Sequence, residues 1–253
     1  MKEMILLLVT CHLIGDFYLQ SDALAIEKRS NNKKLWGHFL LYAIPFTVFP
    51  ILSISVFTLG NYFFGFLLCA GVVIVLHAII DTVKIALQRL RPQINSRENI
   101  LFVCDQLVHF GSIIAICFVA ERMGLLPSRE FIMVEVNDLN LLKIAVFLLF
   151  LGKPTNIIFK AFFDKYAEEG TNVAAVTKDG AGALIGSLER LTMGILVLLG
   201  QFAALGIVMA AKTLTRYTRM SENPRFAEYY LIGTLFSVLA VAAAYITLFH
   251  IVV

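Results

Sequence analysis

Three aspartates in this chain each have a histidine one helical turn away: His12 with Asp16, His77 with Asp81, and Asp105 with His109. Residues four apart lie on one helical face, so each pair offers an imidazole nitrogen and a carboxylate oxygen to the same neighbour. The order within the pairs carries information. It reads His then Asp on the first and third apolar segments, and Asp then His on the fourth. With the fourth segment antiparallel to the other two, the three aspartates fall in one layer and the three histidines in a second, one turn deeper. Counted from the flanking basic stretches, the aspartates sit about 6–8 residues in, near 10 Å at about 1.5 Å per residue. His38, near the mouth of the second segment, completes or caps the cluster.

An ionisable side chain costs about 2.5–3.5 kcal/mol at the centre of a membrane helix even on the gentlest insertion scale. Three carboxylates at one depth also repel one another, so a cation or protons must offset them. Asp, His and water suit zinc, manganese, iron or magnesium, and no cysteine stands where a thiolate site would need it. The candidate metal ligands are His12, Asp16, His38, His77, Asp81, Asp105 and His109, with Asp16, Asp81 and Asp105 the candidate catalytic residues. Three His and three Asp suffice for two ions, the arrangement that assists phosphate ester hydrolysis. Gln20 and Lys84 follow their aspartates by about a turn and face the same mouth, where Lys84 would hold a phosphate or carboxylate of a substrate or else simply snorkel. Gln106, next to Asp105, is expected to point elsewhere on its helix. His250, in the apolar C-terminal stretch, reads as interfacial.

The elements that must position these residues are helices. Hydrophobic residues make up 59% of the 253 and charged residues 15%, with a mean hydropathy of +0.82; soluble domains carry about 25% charged residues. Stretches of about 20 apolar residues are long enough to cross about 30 Å of hydrocarbon as helices. The expected fold is all-α, a polytopic transmembrane helix bundle with about six to seven membrane segments. Its parts are a half that carries the His/Asp cluster (residues 1–122), a polar connection (123–140) and a C-terminal half (141–253) with a Gly-rich packing helix. The expected segments are Met4–Ser21, Leu35–Leu59, Tyr62–Leu90, Glu98–Ala120, Leu141–Phe163, Ala181–Ala211 and Glu228–Val253, with a tight turn at Gly60–Asn61. Met1–Glu3 is too short for the basic region of a signal peptide and no small-residue cleavage site follows, so the first segment is expected to be retained.

Short loops rich in Lys and Arg face the cytoplasm. That rule places Asp22–Lys34, Arg91–Arg97 and Lys212–Arg225 on one side, which one unbroken crossing at Leu141–Phe163 would contradict. A re-entrant or broken helix at Gly152-Lys153-Pro154 resolves the conflict, since proline lacks a donor and clashes with the preceding turn. In the second half, Gly182 and Gly186 form a GxxxG pair suited to close helix packing and to a homo-oligomer, with Gly194, Gly200 and Gly206 extending the face. Glu189 and Arg190 point about 100° apart and need separate partners, unless Ala181–Arg190 lies at the interface. Cys11, Cys69, Cys104 and Cys117 have no CxxC spacing and read as small buried hydrophobes. No basic run with interleaved aromatics points to nucleic acid.

The runs HLIGDFYLQ (His12–Gln20), HAIIDTVK (His77–Lys84) and DQLVH (Asp105–His109) resemble a bacterial membrane family catalogued as a domain of unknown function, and GALIGSLER, GQFAALGIVMAAK and EYYLIGTLFS resemble the tail of its longer members. The resemblance implies a multi-pass protein of the bacterial inner membrane and brings no activity with it. The residues themselves point to a metal-dependent hydrolase working from the cytoplasmic side on a lipid-linked or phosphate-containing substrate, with water as nucleophile and a carboxylate free of the metal as base. The same residues would serve a metal or proton transporter, a proton relay without metal, a sensor or assembly protein whose metal is structural, or plain interhelical hydrogen bonding.

Overall fold

The structure, a computed structural model, describes residues 1–53, 63–91, 93, 97–126, 136–166 and 181–251. Among the described residues every regular element is helical. The turn at Gly60–Asn61, residues 127–135 of the polar connection and residues 167–180 lie outside them. Two compact units form, Met1–Val146 and Phe147–Val253. Among the described residues, four helical segments are long and apolar enough to cross a membrane: Phe64–Leu90, Glu98–Arg122, Leu139–Tyr166 and Pro224–Ile251. This makeup is that of a membrane protein.

In the first unit, α1 (Lys2–Leu13) continues into a π-helical turn at Ile14–Tyr18, closed by Leu19 N–H on Ile14 O at 2.9 Å. A short α2 (Asp22–Glu27) follows, its first turn capped by Ser21 Oγ on Leu24 N at 3.2 Å. Then come α3 (Asn32–Ser53), α4 (Phe63–Leu90) and α5 (Glu98–Arg122). Asp22–Lys34, expected as a loop, is therefore largely helical. Cross-helix pairs fix the directions. His12 meets Phe110 while Phe17 meets Phe102, so α1 and α5 are antiparallel. Cys11 lies against Pro45 and His12 against Tyr42, so α1 and α3 are antiparallel too. His77 and His109 stack, and Lys84 reaches Asp105, which sets α4 against α5 in the same sense. Thus α1 and α4 run one way and α3 and α5 the other, the arrangement that the mirrored His/Asp order requires.

Glycine sets two features of this unit. At Gly15 a Cβ would lie 2.9 Å from Tyr42 Cδ2 and 3.0 Å from Tyr42 O, so α1 and α3 touch through bare backbone beside Asp16. At the end of α5, Gly124 has φ +70, with Leu125 N–H on Ala120 O and Gly124 N–H on Glu121 O. That is a Schellman ending, which a left-handed glycine permits without a Cβ clash.

The second unit takes in the end of α6 (Val136–Leu151), then α7 (Lys153–Phe163), α8 (Ala181–Leu198), α9 (Phe202–Glu222) and α10 (Pro224–Ile246) with a closing π turn at Thr247–Ile251. The helix does break at Gly152, as its Gly-Lys-Pro sequence predicts. Pro154 has no N–H for Phe150 O, and the Thr155 hydroxyl takes that carbonyl instead at 2.5 Å. Arg190 on α8 is buried and donates from Nε to Leu151 O at 2.8 Å and from its terminal nitrogen to Asn156 Oδ1. Glu189 turns the other way and pairs with Lys212 at 2.5 Å. Both residues therefore find the separate partners that their spacing demands.

Two expectations for this half need correction. Ala181–Ala211 is two helices, because Gly200 (φ +69) ends α8 in a Schellman motif, with Gln201 N–H on Leu196 O and Gly200 N–H on Val197 O. Lys212–Arg225 is mostly helix, since α9 runs to Glu222 and Asn223 caps α10 through Oδ1 on Phe226 N at 3.1 Å. Of the glycine face, Gly194 makes the close approach: a Cβ there would lie 2.7 Å from Leu151 Cδ1. Gly182 would meet nothing within 4 Å.

Two measurements check this account. Gly15→Ala should lower the melting temperature of the purified protein, because overpacking costs about 1–3 kcal/mol, while Gly37→Ala, where a Cβ meets nothing within 4 Å, should leave it unchanged or raise it. Arg190→Met strands Leu151 O and should cost about 1–3 kcal/mol; a melting temperature equal to wild type would show that water satisfies that carbonyl.

Candidate metal centre

The three His/Asp pairs converge in the first unit. His12, His38, His77, Asp16, Asp81, Asp105 and His109 are all buried. The rings of His77 and His109 stack at 4.4 Å between centroids, with His12 at 5.9 and 5.3 Å from them. His38 joins the two layers. Its Nε2 is 3.1 Å from His77 Nε2, 3.6 Å from Asp16 Oδ1 and 3.4 Å from Asp81 Oδ2.

Asp16 and Asp105 are each held through one oxygen and aim the other inward, while both oxygens of Asp81 have a lysine beside them. Asp16 Oδ2 accepts from Gln106 Nε2 at 3.0 Å, and its Oδ1 faces His38. Asp81 Oδ2 accepts from Lys28 Nζ at 2.6 Å, and its Oδ1 lies 3.6 Å from His109 Nε2. Asp105 Oδ2 accepts from Lys84 Nζ at 2.8 Å, and its Oδ1 lies 3.6 Å from the same Nε2. Neither Asp105 Oδ1 nor His109 Nε2 has a hydrogen-bond partner, although both are buried. A buried polar atom without a partner costs about 1–3 kcal/mol, so these two atoms call for a cation or a proton between them.

Two groups of three ligand atoms result, Asp16/His38/His77 and Asp81/Asp105/His109, with the atoms of each within 4.8 Å of one another. Ligands about 2.1 Å from a tetrahedral ion stand about 3.4 Å apart along an edge, and those of an octahedral ion about 3.0 Å. The observed near contacts of 3.1–3.6 Å fit that spacing. They are too long for ordinary hydrogen bonds at the 3.6 Å end. The donor set of imidazoles and carboxylates suits a borderline or hard divalent ion.

The sequence reading missed three of the residues that build this site. Lys28, counted there only as part of a basic loop, is buried and pairs with Asp81. Tyr42 stacks on His77 at 3.6 Å between centroids and 5° between planes, and its hydroxyl is 3.0 Å from His12 Nδ1. Its place four residues after His38, on the same face of α3, was the available signal. Gln106 corrects an explicit expectation: it turns into the cluster, because α1 packs on the side of α5 that lies about 100° from Asp105. Its Oε1 is 3.3 Å from His12 Nε2 while its amide donates to Asp16. With the Asp16 carboxylate as final acceptor, the donors run Tyr42 O–H to His12, His12 N–H to Gln106, and Gln106 N–H to Asp16. His12 thus has both nitrogens engaged by protein and stands outside the two ligand groups.

Lys84 lies on the carboxylates, 2.8 Å from Asp105 and 3.5 Å from Asp81, with part of its side chain exposed. Gln20 is half-buried in the bend after the π turn. Next to Lys28, Arg29 pairs with Glu98 at 2.6 Å, and Arg89 donates to Arg29 O and Asn32 Oδ1. Cys11, Cys69 and Cys117 are buried as expected, but Cys104 is exposed, since its neighbour Asp105 takes the inward face of α5. His250 belongs to the second unit, where its ring lies against Tyr245.

Residues 4–133 match the model of a family described as a protein of unknown function (DUF3307). No curated protein and no solved structure matches the chain. The match takes in all three His/Asp pairs, Lys28, Tyr42 and Gln106, and ends before the second unit begins. Since it covers more than half of the chain, the protein belongs to this family of unknown function.

Proposed function

We propose that the chain is a membrane-embedded, metal-dependent hydrolase whose substrate is lipid-linked or carries phosphate. The observation that carries this reading is the shared pattern of Asp16, Asp81 and Asp105. Each accepts from an amide or ammonium and also brings an oxygen within 3.6 Å of an imidazole Nε2. Fixing a ligand from behind is what a metal site needs, because it spares the ion the cost of ordering its own ligands. A divalent ion held there supplies Lewis acidity and a lowered pKa for water.

The chain's own residues give the substrate class. Lys28 and Lys84 leave one of the three carboxylate charges unmatched, so one divalent ion turns the cluster net positive. A buried net positive charge attracts an anion, and a phosphate ester meets that need. Lys84, on the partly exposed side of the cluster, is the residue to meet it, with Gln20 near the same mouth. Arg29, Arg89 and the other basic residues around the opening favour the same sign of charge. In a bilayer, the Lys/Arg bias puts this mouth at the cytoplasmic side of a bacterial inner membrane, in a bundle of six to seven crossings. A second copy packed on the face of Gly182 is part of the same proposal.

One observation favours a second reading, a proton relay. Lys28 and Lys84 already offset most of the carboxylate charge, and the Tyr42–His12–Gln106–Asp16 chain is continuous. Elemental analysis of the purified protein separates the two. Wild type should carry zinc, manganese or iron that Asp81→Ala and His109→Ala lose, and it should cleave bis(p-nitrophenyl) phosphate or phospholipid vesicles only when loaded. Turnover that survives in Asp81→Ala after its metal is gone would sink the hydrolase. No metal in any sample, even after supplementation, would leave the relay.

A further inference from the structure

Asp81 is the one carboxylate that faces both ligand groups. Its Oδ2 lies 3.4 Å from His38 Nε2, which belongs with Asp16 and His77, and its Oδ1 lies 3.6 Å from His109 Nε2, which belongs with Asp105. A carboxylate placed this way spans two ions about 3.5–4 Å apart, the separation at which two ions clamp the attacking and leaving oxygens of a phosphate ester. Independent of the carboxylates, His109 Nε2 is buried, lacks a hydrogen-bond partner and points at the Asp81 and Asp105 oxygens.

The charges then constrain Lys28. Two divalent ions already exceed three carboxylates by one positive charge. Adding a buried ammonium 2.6 Å from the bridging Asp81 oxygen would put like charges side by side where little water screens them. Lys28 follows α2, a six-residue segment that buries none of its side chains, and its long stem could carry the ammonium away from Asp81 once an ion took its place. Lys84 lies farther from Asp81, at 3.5 Å against 2.6 Å for Lys28, and its side chain is already partly exposed.

We infer that Asp16, His38 and His77 hold one ion, Asp105 and His109 a second, and Asp81 bridges them, with Lys28 competing against the first ion for Asp81. This rests on the metal reading above and extends it to number, bridging ligand and competitor. Lys28 is then a tethered cation that keeps Asp81 paired until the ion replaces it.

Titration of the full-length detergent-purified chain with Mn(II), read by equilibrium binding and by electron paramagnetic resonance, tests this. Two equivalents with an exchange-coupled spectrum are expected for wild type. Asp16→Asn and Asp105→Asn should each retain one equivalent and lose the coupling, and Lys28→Met should tighten one equivalent about tenfold or more while leaving the other unchanged. A single equivalent in wild type, two equivalents without coupling, or a Lys28→Met protein that binds both as wild type does, would overturn the proposal. The spectrum of wild type needs no variant, so misfolding of a mutant does not blunt the test. Two coupled ions without any phosphate ester cleavage would overturn the hydrolase and leave the two-ion centre standing, whereas binding of no Mn(II) would remove both.

Discussion

Three carboxylates buried at one level of an apolar helix bundle are the constraint to which the rest of the first unit answers. Separately they would each cost several kcal/mol in hydrocarbon, and together they would repel. The chain meets this with two lysines, an amide and a layer of imidazoles, drawn from α1, α3, α4, α5 and the end of α2. Pairing a buried charge rarely adds stability over an apolar core, but removing one partner is severe. The cluster therefore costs stability that an apolar core of equal size would not, and such a cost is characteristic of a functional site. Its geometry gives every aspartate an amide or ammonium partner and still leaves an oxygen of each within 3.6 Å of an imidazole.

Close helix packing is what keeps those side chains in register. Gly15 lets α1 lie against Tyr42 through backbone, and the π turn that contains it carries Asp16 between Gln106 and His38. Inserting one residue into a helical turn re-aims the side chains that follow, which is why such turns recur at functional sites. In the second unit the same economy appears at Gly152–Pro154. There the carbonyls that a proline would strand are taken up by Thr155 and Arg190.

The mirrored order of His and Asp made the core of the site legible without coordinates, because helical periodicity and antiparallel packing leave little else for such spacing to mean. It placed His12, His77, His109 and the three aspartates together. Residues that join the site from outside that periodicity were not legible. Lys28 belongs to a stretch whose basic character has a sufficient explanation in topology, so nothing in its own spacing marked it. Gln106 was misjudged because only the face of Asp105 was counted as inward, when α1 packs on the side of α5 that Gln106 occupies. The extent of Ala181–Ala211 was misjudged for a simpler reason: Gly200-Gln201 is a helix-ending signal that the surrounding apolar run outweighed.

The π turn and α1 have a further consequence for how the chain is made. The partners of His12 and Asp16 lie far downstream, with Tyr42 30 residues and Gln106 94 residues beyond His12. Lys28 waits 53 residues for Asp81. During synthesis α1 thus emerges carrying polar groups that nothing yet answers. Its pairing is complete only once α3 and α5 have been made, so these groups must wait for the segments that follow.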